Sequence, residues 1–197
     1  VPGIDNPFFA TLASTVIENL KLAGYHTLLA DSLENQKDFE SSLQMFRSRS
    51  VDGIIAVPVG NPSEMTEAIT GGIPTVLIDR YYEDTNLPYI CTDNYMGGYM
   101  ATEYLIGRGY RNILSIQGVE DSTPSMERVR GFKDAIKAHG EKGVEYSIVG
   151  DAFSVENGYN QVKRIFSEGV EFDSVFAYSS TILLGAIRAF REIGIKI

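Results

Sequence analysis

Length, composition and charge set the first limits on this chain. It has 197 residues, 44% hydrophobic and 22% charged, a balance that is typical of folded globular proteins and excludes wholesale disorder. Its 26 acidic and 17 basic side chains give a formal net charge of −9, which argues against a grip on a phosphate backbone by this segment. Cys91 is the single cysteine, so no intrachain disulfide forms, and no apolar run approaches the ~18 residues of a membrane span.

Amphipathic helices alternate with apolar strands along the sequence. The first helix opens at Asn6-Pro7, because Asn suits the cap and Pro the first helical position. Helical spacing of apolar residues predicts further helices marked by Phe39, Leu43 and Phe46, around Met65 and Ile69, from Asn94 to Gly107 or Gly109, and over 125–139, 155–167 and 181–193. Apolar runs predict strands over 25–30, 51–57, 74–79, 89–92, 112–117, 146–149 and 174–178. This alternation is typical of an α/β protein with right-handed crossovers.

A faint internal repeat suggests two halves that join near residues 93–95. Gly24-Tyr25 precedes one predicted strand as Gly109-Tyr110 precedes another, and the run at 51–56 is answered by a similar run at 172–177. The match is short, and residue types that are common in strands produce such matches by chance. We therefore predict two subdomains, 1–93 and 94–197, as an interpretation of this pattern.

Groups that could carry catalysis are scarce. The only histidines, His26 and His139, lie at a predicted strand start and in a last helical turn, where surface structure explains both. The sequence contains no GxSxG elbow, HExxH, P-loop or GxGxxG. We therefore expect no enzyme activity, no metal and no cofactor.

Polar and aromatic side chains instead follow the predicted strands, at the edge where open α/β sheets bind ligands. Aromatic faces stack on sugar-like rings, and arginine supplies fixed donors to hydroxyls or a carboxylate. Each residue also has a structural explanation: Asn6 as a cap, Asp79 and Arg80 as a surface ion pair, Arg128 as a partner of Glu127 or Glu120. The predicted ligand-binding residues are Asn6, Phe8, Phe9, Asp79, Arg80, Ser125, Arg128, Phe153, Ser179 and Ser180.

Seven segments occur in a characteristic order and spacing: DNPFF at 5–9, VDGII at 51–55, IPTVLIDR at 73–80, TDNYMGG at 92–98, GYRNI at 109–113, SMERVRGF at 125–132 and LGAIRA at 184–189. Together they resemble the effector-binding domain of the LacI/GalR transcriptional regulators, over essentially the whole chain. The periplasmic sugar-binding proteins of ABC importers share several of these motifs. The stretches 93–109 and 150–159 look more like the regulators.

The resemblance implies two Rossmann-like subdomains with parallel sheets flanked by helices, a periplasmic-binding-protein-like fold of type I, truncated at both ends. It implies that a small polar effector, a sugar or sugar derivative, binds in the cleft between them, with Arg128 matching the arginine that reaches the effector. It further implies a cytoplasmic homodimer, with no membrane partner. Effector binding would control operator DNA through a helix-turn-helix domain absent from this chain.

One departure from the family pattern concerns the strand that ends at residue 177. The family usually has Asn-Asp there, whereas this chain has Ser179-Ser180, and serine can still cap a helix but loses the amide that would bind a sugar hydroxyl. Two alternatives stay open, a solute-binding receptor of a sugar ABC importer and an α/β enzyme. A helix-turn-helix before Val1 would favour the regulator, and a signal peptide the receptor.

Overall fold

The computed structural model describes residues 1–60, 70–140 and 143–195. The chain divides into two compact units, Val1–Thr92 and Asp93–Ile197, each with its own parallel sheet and flanking helices. The predicted α/β class is therefore confirmed. The helix predicted around Met65 and Ile69 lies outside the described residues. Within the described ranges, no helix combines the length and apolarity that a membrane crossing requires.

Among its described residues, 1–60 and 70–92, the first unit pairs two helices with a three-stranded sheet. Its elements are α1 (Pro7–Leu22), α2 (Gln36–Ser48), β1 (Ile54–Ala56), β2 (Thr75–Ile78) and β3 (Tyr89–Ile90). The strands run parallel in the order β1-β2-β3, with Ile54 opposite Thr75 and Leu77 opposite Tyr89. Because neighbouring strands are parallel, their carboxyl ends lie at one edge of the sheet. The residues that follow β2 therefore start from that edge.

The predicted strand over 25–30 is wrong as a hydrogen-bonded element, since no strand is assigned there. A strand needs a neighbouring strand that forms hydrogen bonds along its length. Among the described residues, strand-like backbone hydrogen bonds occur only at the end of this stretch. There the Val1 amine donates to the Ala30 carbonyl at 2.8 Å, and Ser32 N–H donates to the Val1 carbonyl at 2.9 Å. The apolar character that favoured a strand is present, but the partner is not.

The described residues of the second unit, 93–140 and 143–195, form four helices and three strands. They are α3 (Asn94–Gly107), β4 (Asn112–Ile116), α4 (Thr123–Ala138), β5 (Glu145–Val149), α5 (Val155–Ser167), β6 (Ser174–Ala177) and α6 (Ser180–Ile193). The sheet order is β5-β4-β6, all parallel, so β4 lies in the centre. Every predicted helix and strand of this part of the chain is confirmed, with ends shifted by at most two residues.

Apolar packing holds each unit together. In the first unit, Phe39 and Leu43 of α2 pack on Ile54, Ala56 and Leu77 of the sheet. In the second unit, the central strand contributes to two clusters, one against α5 and α6 and the other against α3 and α4. Burial on both faces explains why β4 has buried side chains at four successive positions from Ile113 onward.

Polar caps set where the helices begin. Asn6 caps α1 by accepting from Phe8 N–H at 3.0 Å, and Pro7 occupies the first turn, as the sequence predicted. Ser154 caps α5 and Ser179 caps α6 in the same way. Ser122 at the start of α4 is different, because its hydroxyl donates to the Val119 carbonyl instead of capping the helix.

Candidate functional site

Arg80 is the best-anchored candidate of the first unit. It follows β2, and its guanidinium donates to both oxygens of Glu34, at 2.7 and 2.6 Å. The Arg80 side chain is only 5% exposed and that of Glu34 is 35% exposed, so this two-point contact is a partly buried ion pair. The only ion pair that the sequence predicted for Arg80 was a surface pair with Asp79. Asp79 lies 3.9 Å from the Arg80 Nε and adopts φ 67°, a backbone conformation that Asp tolerates better than most residues.

Aromatic side chains lie beside this arginine. The Phe9 ring is buried, and the Arg80 guanidinium carbon lies 5.7 Å from its centroid. Phe8 packs edge-on against Phe9 with ring centroids 5.1 Å apart, and it is 52% exposed. The structure thus joins Phe8, Phe9, Asp79 and Arg80 into one group in the first unit. Asn6 contributes through its cap, since its side-chain oxygen is bonded to Phe8 N–H.

The loop that carries Glu34 is tied to the chain start. Glu34 N–H donates to the Pro2 carbonyl at 2.7 Å, and both Leu33 and Glu34 have positive φ, at 49° and 54°. Positive φ is costly for side-chain-bearing residues, so the surrounding contacts hold this turn in place. Sequence reasoning missed Glu34, because no local pattern indicates a carboxylate that pairs 46 residues further along the chain.

Arg128 is the corresponding candidate of the second unit. It lies on α4, and its Nη1 donates a short hydrogen bond to the backbone carbonyl of Tyr178, the residue that follows β6. Tyr178 itself is 4% exposed and accepts a hydrogen bond from Ser115 of β4 at 3.1 Å. Burial raises the pKa of the Tyr178 phenol to about 12, while the Ser115 hydrogen bond and the Arg128 charge act in the opposite direction. Arg128 is thereby held over the ends of β4 and β6.

Phe153 and the two serines lie near the same strand ends. The Thr181 hydroxyl is 2.8 Å from the Ser179 hydroxyl and donates to the Phe153 carbonyl at 3.2 Å. The Phe153 ring covers Gly118, where any side chain would overlap it. Ser179 N-caps α6 by accepting from Ile182 N–H at 3.2 Å, as predicted for a serine here, and Ser180 is exposed at the first helical position.

Asn157 connects two of the loops at this edge. Its side-chain NH₂ donates to the Gln117 carbonyl at 2.9 Å and to the Ala152 carbonyl at 2.6 Å. These bonds tie the end of β4 to the loop that carries Phe153. Ser125, another predicted contact, is fully buried in α4, and its hydroxyl has no hydrogen-bond partner among the described residues.

A cavity of about 680 Å³ lies elsewhere in the first unit. Its walls are mostly apolar residues of α1, of the stretch 25–29 and of the sheet, among them Leu12, Val16, Leu28, Ile55 and Val76. None of the predicted ligand-binding residues lines it. Its apolar walls suit packed side chains better than a hydroxyl-rich ligand.

The described part of the chain offers no arrangement for metal chemistry. No group of three or more His, Cys, Asp or Glu side chains within it is placed to hold a metal ion. What the two groups offer is hydrogen bonding and stacking. In the first group an anchored arginine lies beside an aromatic ring, and in the second unit an anchored arginine, Arg128, and the Phe153 ring belong to segments that follow parallel strands.

Comparison with known proteins decides the family. Residues 1–197 match the family described as periplasmic binding proteins and sugar binding domain of LacI family. The chain belongs to this family. The match agrees with the observed fold, in which both sheets are parallel and flanked by helices.

Several curated relatives of this chain are repressors. The chain is 29% identical over 197 residues to a ribose operon repressor of Halalkalibacterium halodurans, covering all of this chain and 58% of that protein. It is 30% identical over 193 residues to the transcriptional repressor PurR of Actinobacillus pleuropneumoniae, covering 97% of this chain and 57% of the relative. The chain therefore spans a little over half the length of these relatives.

Solved structures of LacI-type proteins show the same fold. One from Alkaliphilus metalliredigens, complexed with D-xylulofuranose, is 30% identical with a TM-score of 0.84, covering 100% of this chain and 72% of that one. The Cra dual regulator of Pseudomonas putida, in complex with fructose 1-phosphate, has a TM-score of 0.88 at 24% identity, covering 98% and 72%. At that identity the second likeness supports the fold alone.

Proposed function

We propose that this chain is the effector-sensing part of a LacI-type transcriptional regulator. It binds a small polar effector, a sugar or sugar derivative, and the residues proposed to contact the effector form one arginine-centred group in each unit. One group is Phe8, Phe9, Asp79 and Arg80. The other is Arg128, Phe153 and Ser179. The observation that carries the proposal is that Arg128 is held over the ends of β4 and β6 in a chain that matches the family throughout.

The chemistry of the two groups favours a ligand rich in hydroxyls. Arginine N–H groups donate to ring and hydroxyl oxygens in fixed directions, and Asp79 accepts from hydroxyls. The rings of Phe8 and Phe153 supply apolar faces for the C–H side of a sugar ring. A relative complexed with D-xylulofuranose, at 30% identity, supports this ligand class.

Regulation requires that the effector bind two states of the protein with different affinity. We propose that the whole protein is a cytoplasmic homodimer whose DNA-binding domain lies outside this chain. The net charge of −9 is consistent with a sensor that does not itself hold DNA. The repressor names of the relatives favour this proposal over the receptor of an importer.

The decisive experiment is a calorimetric and thermal-shift titration of the full-length protein with D-ribose, D-xylulose and fructose 1-phosphate. A ligand at 100 times its Kd raises stability by about 2.7 kcal/mol. Arg128→Ala should then weaken binding about 10- to 150-fold, since a hydrogen bond to a charged group contributes about 1.5–3 kcal/mol. Arg130→Ala is the matched control, because Arg130 lies on the same helix but its side chain is 61% exposed and pairs with Glu127.

Two results would overturn the proposal. One is that all three probes and a wider sugar panel leave the melting temperature unchanged. The other is that Arg128→Ala binds a ligand as tightly as Arg130→Ala does. When a ligand does bind, a change in the affinity of the full-length protein for operator DNA, measured by gel shift with that ligand, would link binding to regulation.

A further inference from the structure

The two helix pairs of the second unit cross at glycines. Where α3 crosses α4, a Cβ added to Gly98 would overlap the Arg128 carbonyl oxygen and lie 2.9 Å from the Arg128 Cα. A Cβ added to Gly131 would overlap the Tyr95 carbonyl and lie 2.8 Å from Tyr99 N. Real Cβ atoms do not approach backbone atoms this closely, so both positions require glycine, which has no side chain. The helices thus touch backbone to backbone at two points, one helical turn apart.

The α5–α6 pair repeats this arrangement. A Cβ at Gly158 would overlap the Ile182 carbonyl and lie 2.8 Å from its carbon, and a Cβ at Gly185 would lie 2.7 Å from Tyr159 N. The spacing within the helices is the same, since three residues separate Arg128 from Gly131 and Ile182 from Gly185. The close crossing is therefore a packing device used twice. Only in the α3–α4 pair does it bear on a predicted effector residue.

We propose that Gly98 is a positioning residue for Arg128. The α3 backbone at Gly98 sets how far the α4 backbone stands from the sheet at Arg128, and this distance decides whether Nη1 reaches the Tyr178 carbonyl. Protein interiors are close-packed, so a Cβ at this contact moves a helix rather than filling a void. The functional meaning of this role rests on the proposed effector-binding function of Arg128.

The location of α3 gives the contact a second consequence. The boundary between the two units falls between Thr92 and Asp93, and Asp93 caps α3 by accepting from Met96 N–H at 2.9 Å. Gly98 lies one turn into this helix. The element that sets the position of Arg128 is therefore the helix that begins at the unit boundary.

The test uses a readout that does not depend on knowing the effector. Phenylglyoxal modifies accessible arginines, and peptide mass spectrometry of the full chain gives the rate at Arg128, with the surface residue Arg164 as internal standard. Gly98→Ala should raise the Arg128 rate about fivefold, the change that corresponds to losing a hydrogen bond worth about 1 kcal/mol. Circular dichroism confirms that each variant is folded under the assay conditions.

Two alanine variants serve as matched controls. Gly107→Ala adds a Cβ to the same helix as Gly98, at its far end, where nothing lies within 4 Å, and should leave the Arg128 rate unchanged. Gly97→Ala adds a Cβ at the residue before Gly98, where nothing lies within 4 Å, and should also leave the rate of Arg128 modification unchanged. Because alanine favours helix over glycine, the Gly97→Ala background also supports Gly98→Ala should the single variant fold poorly.

The proposal fails if Gly98→Ala, alone or in the Gly97→Ala background, leaves Arg128 reactivity at the wild-type value. It also fails if Gly107→Ala raises that reactivity as much, since the effect would then follow from any Cβ added to α3. Either result is independent of whether a sugar binds. Once a ligand is found among the sugar probes, its affinity should be weaker for Gly98→Ala and unchanged for Gly107→Ala.

Discussion

The buried phenol of Tyr178 should make the stability of the protein fall steeply in alkaline solution. Burial raises its pKa from 10.0 to about 12, so between these values the unfolded chain loses this proton while the folded chain keeps it. The unfolded state then binds fewer protons, and the free energy of unfolding decreases as pH rises. The loss from this group alone is about 1.4 kcal/mol at pH 11 and about 2.3 kcal/mol at pH 12.

Urea denaturation at pH 9.5, 10.5 and 11.5 measures this loss, with Tyr178→Phe as the perturbation. The variant removes the ionisable group, so its stability should decline less steeply with pH than that of the wild type. At neutral pH it should be about 1–3 kcal/mol less stable, because Ser115, which is fully buried, loses its acceptor. Tyr110→Phe removes an exposed phenol of the same unit and is the control.

The comparison of slopes isolates Tyr178, because the wild type and Tyr178→Phe share every other tyrosine. If Tyr178→Phe and the wild type lose stability in parallel from pH 9.5 to 11.5, the phenol is not buried in the folded state. The position of Arg128 would then be wrong too, because the same residue supplies its carbonyl acceptor.

Three further predictions concern other anchors. Glu34→Gln should lower the free energy of unfolding by about 2 kcal/mol, less than for a fully buried pair because Glu34 is partly exposed; urea denaturation tests it, and no loss would exclude the Arg80 pair. Asn157→Ala should cost about 2 kcal/mol in the same assay for two lost hydrogen bonds, and a neutral result would contradict them. Desolvation lowers the pKa of the Val1 amine from 8.0, so the free energy of unfolding of a chain that begins at Val1 should rise with pH through the range just below 8. N-terminal acetylation should abolish that rise. A rise that persists after acetylation would show that the Val1 amine is not its cause.

Helix starts and strand positions in this fold follow from local chemistry. The Asn6-Pro7 pair fixes the start of α1 through a cap that depends on those two residues and their neighbours alone. The run over 51–57 was predicted in full, yet only Ile54–Ala56 is paired, because the pairing partner β2 begins at Thr75 and sets the length of the ladder. Apolar pattern therefore locates a strand, but the neighbouring strand determines where it begins and ends.

The sequence predicted which strands Arg80 and Arg128 follow, but it did not predict the residues that anchor them. Rules about strand ends located Arg80 and Arg128, because the carboxyl edge of a parallel sheet follows from topology. Glu34 escaped prediction because its pairing depends on a loop with positive φ brought to Arg80 by the fold. Tyr178 escaped for another reason: it holds Arg128 by a backbone carbonyl, and a contact of that kind leaves no signature in side-chain identity.

Both arginines are anchored within their own unit before any effector is present. Arg80 is fixed by the Glu34 carboxylate and Arg128 by the Tyr178 carbonyl. An unanchored arginine side chain loses as much as ~2 kcal/mol of rotamer entropy when a ligand immobilises it, and here most of that cost is met during folding. Where either arginine contacts the effector as proposed, that contact forms with less loss of freedom, so loosening its anchor should weaken effector affinity even though neither Glu34 nor Tyr178 is a predicted ligand contact.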